Sequence, residues 1–471
     1  MKRPIPGTSV RLRTLGAASV TVLAAAMFAT PVFAESLTDA LSAAYQSNPD
    51  LQGQRAQLRA TDEQVPQALS GYRPTVTAQG SYGYNGSKST TSTTPPATIK
   101  STTHPLSGSV TLNQNIFAGG RTYNSTKQAE YAVKAGRASL VSAEQNTLLS
   151  AIAAYMDVIR DTGVVDLNKN NVEVLKRQLE ATKDRFRVGE LTRTDVAQSE
   201  ARLSGARTSL QQAEAQLTAS RAEYEKVIGH APGTLERPKA AAGLPASEDD
   251  ARSLAERGNP DLQAARNAEA SSAAAVAAAK GVVLPSFDIQ AQYLYGRDPS
   301  GTTTPIDHTS QTAVMGVLTI PLYQGGAEYS RVRQAKEQHS QALMQIASTQ
   351  RVVDEAVRNA WEGLRSAQAN IVSSKEQVKA NEIALEGVRQ EAEVGSQTTL
   401  DVLNAEQELL NARVALVSAE RDEAVAEFNL LAATGQLTAR QLNLPVKYYD
   451  PEENYNAVED KWLGWGTFED E

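Results

Sequence analysis

A stretch of 23 residues occurs twice in this chain, VGELTRTDVAQSEARLSGARTSL from Val188 and VGSQTTLDVLNAEQELLNARVAL from Val394, with ten identities at a constant offset of 206. An internal duplication of this kind restricts the fold to two copies of one supersecondary unit. In each copy a polar helical pattern runs into Val-Gly. A Thr then begins a second helical pattern three residues before an Asp: Thr192 with Asp195, and Thr398 with Asp401. Gly189 and Gly395 can end a helix at positive φ, and the Thr and Asp have capping-box spacing. Each stretch therefore predicts the tip of a helix hairpin.

The flanks give the hairpins their length. Val158, Val165, Val172, Leu179 and Phe186 fall seven apart before the first tip, as do Val357, Leu364, Ile371, Val378 and Leu385 before the second. The returning segments carry Val196, Leu203, Leu210 and Leu217, then Val402, Leu409 and Leu416, with a small row at Ala405, Ala412, Ala419 and Ala426. A sustained seven-residue apolar repeat predicts antiparallel coiled coils with a left-handed supercoil. From Arg121 to Arg187 and from Ala327 to Glu393 there is no proline over 67 residues, enough for a helix of about 100 Å.

The duplication reaches further back. Asn48-Pro49-Asp50-Leu51-Gln52 recurs as Asn259-Pro260-Asp261-Leu262-Gln263. Asn as N-cap, Pro at the first helical position and Asp in the first turn spell a helix start. Each opens an expected helix of about twenty residues that stops near Arg73-Pro74 or Leu284-Pro285. The period then changes to two. Val76, Ala78, Gly80, Tyr82 and Tyr84 alternate with Thr77, Gln79, Ser81 and Asn85, and, after a Ser/Thr-rich polar run, Leu106, Gly108, Val110 and Leu112 alternate with Ser107, Ser109, Thr111 and Asn113. The second half repeats this at Phe287, Ile289, Ala291, Tyr293 and Tyr295, with a fourth strand expected at about Thr312 to Leu322. Two-faced strands of about ten residues suit a tilted membrane crossing. A soluble hairpin with one wet face fits the alternation too; the leader and the tyrosines favour the membrane. A single-chain barrel needs at least about eight strands, so a chain with four must oligomerise to close one.

Lys2, Arg3, Arg11 and Arg13, an apolar run from Leu15 to Ala29, and Val32-Phe33-Ala34 before Glu35 read as a cleavable export signal. Its removal takes four positive charges from a net charge of −8, leaving −12. Nucleic acid is not an expected partner of such a chain. With 5% aromatic residues, and Ala, Gln, Ser and Thr abundant, the chain has thin material for one globular core. Elongated helices that each bury a narrow stripe fit it better. No cysteine is present to carry a disulfide or a lipid. The four histidines, His104, His230, His308 and His339, have no metal-ligand spacing. Neither an enzyme nor a cofactor is expected. The Gly-Gly steps at Gly119-Gly120 and Gly325-Gly326 lack the Lys-Ser or Lys-Thr of a phosphate loop and read as exits from strand to helix. Acids such as Glu452-Glu453 and Glu469-Asp470-Glu471 suggest a solvated tail after Pro445, against which Trp462 and Trp465 either pack or do nothing.

With the NPDLQ repeats, the strand exits NIFAGGR and IPLYQGG, and the tips RVGELTRTDV and EVGSQTTLDVL in this order, the mature chain resembles the TolC or outer-membrane-factor family. The resemblance implies a mostly α fold with membrane β: long antiparallel coiled coils forming an α-barrel, and four strands per chain contributed to a homotrimeric 12-stranded β-barrel in outer-membrane lipid. It also implies an exit duct fed by an inner-membrane transporter, ABC or proton-driven, through a periplasmic adaptor. The expected division is 1–34 signal peptide, 35–74 first-repeat N-terminal helices, 75–117 first β-hairpin, and 118–230 long helix, tip and return helix. A linker at 231–247 is followed by 248–284 second-repeat helices, 285–323 second β-hairpin, 324–436 long helix, tip and return helix, and 437–471 acidic tail. Val188, Gly189, Glu190 and Leu191, with Val394, Gly395 and Ser396, are the candidate adaptor-docking tips.

Asp195 reads first as a helix cap, and with Arg193, Gln397 and Asn404 it makes up the candidate entrance network. Asp401 has two readings, a cap from its spacing and, from the resemblance, one member of an acidic ring at the periplasmic entrance. Asn404 stands where well-known members carry a second acid, and Ala392 and Gln397 stand where they carry a Tyr and an Arg that help close the entrance. Arg193 is the candidate substitute. The GELTRTDV tip is more similar to members serving type I protein secretion than to those serving drug efflux. A non-channel periplasmic adaptor or spacer is the alternative from another class. It would ordinarily carry one hairpin and an inner-membrane anchor, whereas this chain has two hairpins, two strand pairs and a cleavable signal.

Overall fold

The computed structural model describes residues 35–297 and 308–467. The export signal, the turn of the second β-hairpin and the Glu469-Asp470-Glu471 cluster lie outside the described residues. In chain order the elements are α1 (Leu37–Ser47), α2 (Pro49–Asp62), α3 (Gln64–Leu69), β1 (Thr75–Tyr82), β2 (Asn85–Thr90), β3 (Thr98–Thr103), β4 (Leu106–Ala118), α4 (Arg121–Arg187) and α5 (Arg193–Ile228). The second half has α6 (Glu248–Gly258), α7 (Pro260–Gly281), β5 (Ser286–Arg297), β6 (Thr309–Thr319), α8 (Ala327–Glu393) and α9 (Thr399–Ala433), and α10 (Glu453–Val458) follows.

The helices form a wall of two storeys. Nearer the strands, α2, α4, α7 and α8 stand side by side in that order, and nearer the tips α5, α4, α9 and α8 take over. The two 67-residue helices, α4 and α8, run through both storeys. Their heptad residues fill the seams: Val158, Val165, Leu179, Val357, Leu364, Ile371 and Leu385 are buried. Phe186, in the last turn of α4, is exposed. Among the described residues no helix is long and apolar enough to cross a membrane.

A four-stranded antiparallel sheet of order β1-β4-β5-β6 stands on this wall in the order of the helices beneath it. The register holds the two-faced pattern across strands, with Ala78 opposite Val110, Val110 opposite Tyr293, and Leu112 opposite Ala291. Val76, Leu106, Val110, Tyr293, Val314 and Leu318 are exposed on this apolar face. The other face carries Thr77, Thr111, Asn113, Gln290 and Gln292, and there Asn115 donates to Asp288 at 2.8 Å. A bulge between Asn115 and Phe117 bends the base of β4 and sets Phe117 opposite Phe287. Among the described residues β1 and β6 each leave one edge unpaired.

Four expectations change. The first-repeat helix is not continuous: α2 ends at Asp62 and α3 restarts at Gln64. Pro66 has no N–H to give and its ring crowds the Asp62 carbonyl four residues earlier. The polar Ser/Thr run is a second antiparallel ladder, β2 with β3 from Asn85↔Thr103 to Thr90↔Thr98. The fourth strand occupies Thr309–Thr319 and stops two residues before Pro321, which cannot donate to a ladder.

Finally, the tail is no solvated appendage but a strap that climbs the wall toward the sheet. Ala439 N donates to Glu144 at 2.7 Å and Tyr449 N to the Tyr45 hydroxyl at 3.0 Å. Arg137 pairs with Glu452 at 2.8 Å, and Asn454 donates to the buried Asp62 at 2.8 Å. The Arg55 guanidinium lies between the Tyr45 and Tyr449 rings, 4.5 and 5.1 Å from their centroids. A matching hold in the linker is Ala241 N donating to Glu427 at 2.7 Å. Burial pushes the Glu144 and Glu427 carboxyls up.

Each repeat is also closed on itself. The Asn48 side chain accepts from Asp50 N and Leu51 N and donates to Val227 O at 3.0 Å, and Asn259 accepts from Asp261 N and Leu262 N and donates to Ala433 O at 3.2 Å. One side chain thus starts a helix and ties it to the end of the return helix.

Candidate functional site

The wall ends in two helix turns of the same construction. At the first, Gly189 N donates to Phe186 O and Glu190 N to Arg185 O, both at 3.0 Å. At the second, Gly395 N donates to Ala392 O at 3.2 Å and Ser396 N to Glu391 O at 2.9 Å. These paired bonds satisfy the last helical carbonyls and require a left-handed residue after the cap, here Gly189 at φ 87° and Gly395 at φ 82°. The turns leave apolar atoms in solvent, with Val188 74% and Val394 80% exposed. Glu190 and Ser396 are exposed beside them, and Leu191 is half-buried.

The next helices start identically. Thr192 N donates to Asp195 at 2.9 Å and Asp195 N to the Thr192 hydroxyl at 3.3 Å; for Thr398 and Asp401 the distances are 3.0 and 3.3 Å. In each pair the Thr hydroxyl also donates to the carboxylate, at 2.7 and 2.5 Å. The hydroxyl and backbone bonds hold both carboxyls below the usual aspartate range. Asp401 thus closes a cap in the same way as Asp195, on a half-buried side chain at the end of the wall. Arg193, the first residue of α5, and Gln397, in the second turn, are exposed.

Asn404 accepts from the Arg202 guanidinium at 2.6 Å, joining α5 to α9 and so one hairpin to the other. Sequence reasoning missed Arg202, since it does not occupy a repeated position and its partner lies 202 residues away. Leu403 of α9 is buried in a cluster with Leu175, Leu179, Leu203 and Ala206 of the first hairpin, so the two hairpins share one core near the tips.

On one side of that core is an open cleft of about 410 Å³ lined by Arg177, Gln178, Arg185 and Leu191 of the first hairpin and by Arg389, Glu393, Val402 and Glu406 of the second. Arg389 pairs with Glu406. Three guanidinium groups face two carboxylates there, so the cleft is basic within a chain of net charge −8. Such a site can grip an acidic or amphipathic helix; nothing in it resembles a nucleophile set beside a base. The histidines are dispersed. His104 lies against Tyr82 and Tyr84, His308 stacks on Tyr295, His230 lies 3.5 Å from Glu35, and His339 is 2.6 Å from Glu269. Among the described residues no three His, Cys, Asp or Glu side chains gather to hold a metal ion.

The family model described as "Outer membrane efflux protein" matches residues 40–230 and 251–436, the two halves of the duplication. The outer membrane efflux protein BepC of Brucella suis is 39% identical over 97% of this chain and 97% of its own length. The outer membrane protein TolC of Escherichia coli is 26% identical over 87% of this chain and 84% of its own. The alkaline protease secretion protein AprF of Pseudomonas aeruginosa is 25% identical over 64% of each. Among solved structures, the Campylobacter jejuni CmeC outer membrane channel superposes with a TM-score of 0.74 at 16% identity, covering 90% of this chain and 89% of that one.

Proposed function

This chain belongs to the outer membrane efflux protein family, and from that premise we propose that it is the trimeric exit duct of a tripartite export system. The observation that carries the reading is the open sheet. Four strands with unpaired edges at β1 and β6 cannot stand in hydrocarbon. Three copies joined edge to edge supply twelve strands, leave no edge, and turn the apolar face outward and the Thr, Asn and Gln face into a wet lumen. The helical walls continue the same circle for about 100 Å away from the membrane.

At the far end the tips Val188, Gly189, Glu190 and Leu191, with Val394, Gly395 and Ser396, dock a periplasmic adaptor, and the basic cleft beside Leu191 receives one of its helices. An inner-membrane transporter delivers cargo through that junction. Asp401 carboxylates from three subunits form an acidic ring at the entrance while also capping α9, and the Arg202–Asn404 bond helps hold the two hairpins together there.

The tip sequence GELTRTDV supports protein cargo from a type I system. The similarity to a relative named as an efflux protein supports small-molecule cargo as the second reading. The two separate in cells from which the chain is removed. Protein cargo predicts that the exported polypeptide stays inside while accumulation of a dye substrate is unchanged; raised dye accumulation with normal protein secretion would reverse the assignment.

A further inference from the structure

At the joint between the two storeys, where α9 ends and α7 begins, the wall holds a cavity of about 450 Å³. Asp261 is the one charged residue among the described residues that line it. Val353, Ala360 and Ala426 give it an apolar floor, and Gln145, Asn146, Asn359 and Asn429 surround that floor with amides. The three Asn side chains are exposed and have no hydrogen-bond partner among the described residues. Gln145 is only 5% exposed, and its amide nitrogen is buried with nothing to bond. A buried donor in that state is stabilised by an acceptor brought within its reach.

The side of the wall on which the amides stand follows from helix geometry. Leu148 of α4 and Phe428 of α9 pack beneath α1 and the strap, Val357 of α8 packs beneath α6, and Leu244 of the linker touches both clusters. These elements form a second layer on one side of the wall. Asn146 stands two residues before Leu148, Asn359 two beyond Val357, and Asn429 two beyond Glu427, whose carboxyl holds the linker. Two residues turn a helix by about 200°. The amides therefore line the bare side. Three walls closed in a circle can carry the second layer only outside, so the bare side faces the duct.

From this placement we propose that the cavity is a lumenal binding site for the uncharged, extended backbone of a polypeptide in transit. A peptide group presents one donor and one acceptor side by side, and an Asn or Gln amide offers the complementary pair. An anionic group finds no counter-ion there. The inference rests on the protein-cargo reading of the duct, and adds to it a place along the wall where such cargo is held.

For the test, the detergent-solubilised protein is titrated with a short Gly/Ser peptide, acetylated and amidated to remove its charges. Binding is read by saturation transfer from the protein to the peptide protons. The Asn146→Ala, Asn359→Ala, Asn429→Ala triple variant removes exposed side chains that hold nothing else in the wall. Its dissociation constant for the peptide should be higher than the parent's by about fivefold or more, since one ordinary hydrogen bond accounts for about that factor. Polyethylene glycol of matching length, which accepts but cannot donate, should receive little transfer from either protein. Equal affinity of parent and variant for the peptide, or no transfer from the parent at all, would overturn the proposal. Glycol held as tightly as the peptide would replace it with unspecific adsorption, and a neutral maltooligosaccharide bound where the peptide is not would replace it with a sugar site. Light scattering on the same samples tests the duct separately. A monomer there would remove the circle of three walls, and with it the lumenal placement, even where the peptide binds.

Discussion

Asp195 and Asp401 occupy equivalent caps, yet only the second is assigned to a pore ring, and the matched geometry makes each the control for the other. Asp401→Asn keeps side-chain size and removes one charge per subunit, so cation preference measured as a reversal potential in planar bilayers should fall, and block by multivalent cations should weaken. Asp195→Asn should leave both unchanged. Unaltered selectivity in a normally assembled Asp401→Asn channel would remove the ring. Acid gives a second readout. Because both folded carboxyls titrate below their unfolded value, their capping contribution is complete above about pH 4 and is lost as pH falls through the folded value. Amide exchange at residues 192–196 and 398–402 should therefore accelerate only below that range.

Glu427 has the opposite sign, since burial raises its folded value and its ionisation costs stability as pH rises. Glu427→Gln keeps an acceptor for Ala241 N without the charge. The melting temperature of the variant should equal or exceed that of the parent at pH 8, with the difference closing toward acid; a clear loss at pH 8 would show that the charge itself holds the linker. At this scale the Thr-Asp caps were legible because their partners are three residues apart. Arg202 was not, because its partner Asn404 is brought near only by the packing of two hairpins.

Between elements, the repeated Asn is the most economical joint in the molecule. Asn48→Ala and Asn259→Ala each remove a helix cap and the bond to a return-helix carbonyl, and should cost about 1–2 kcal/mol apiece. Thermal unfolding of single and double variants measures this, and a cost within error of zero would mean that packing alone sets the joint. The tip turns are separable from that frame. Proline cannot adopt the positive φ of Gly189 or Gly395 and has no N–H for Phe186 O or Ala392 O. Gly189→Pro or Gly395→Pro should therefore abolish export and adaptor co-purification while trimers remain in the membrane, and normal export by either would displace the docking site.

The two long helices could be read from sequence because 67 proline-free residues between a Gly-Gly step and a Val-Gly step leave few alternatives. The break at Asp62 is carried by Pro66, a single residue inside an otherwise periodic helical pattern. The tail misled for another reason. Its acids suggested solvation, whereas Glu452 serves Arg137, and the tail itself is fastened by donors such as Asn454 to a wall that composition does not reveal.

For the whole molecule the decisive number is strands per chain. The protein extracted in mild detergent should have the mass of three subunits by light scattering, and a folded monomer or a single-chain barrel would end the duct reading. The two-part wall and its sheet were foreseeable because the duplication, the change of period and the length of each strand act together. Closure was foreseeable only as a deficit, four strands where a barrel needs at least about eight.

The ribbon of β2 and β3 lies beyond the ladder that β1 makes with β4, on the side away from the helices. It is therefore the part of the first hairpin that the surroundings of the cell touch first. Its paired positions are Asn, Gly, Ser, Lys and Thr on one strand and Thr, Ile, Lys and Ser on the other. Ile99 aside, that surface gives a passing hydrophobic agent little to hold. Because β2 and β3 ladder only with each other among the described residues, those hydroxyl-rich positions can be rewritten without disturbing the conduit below.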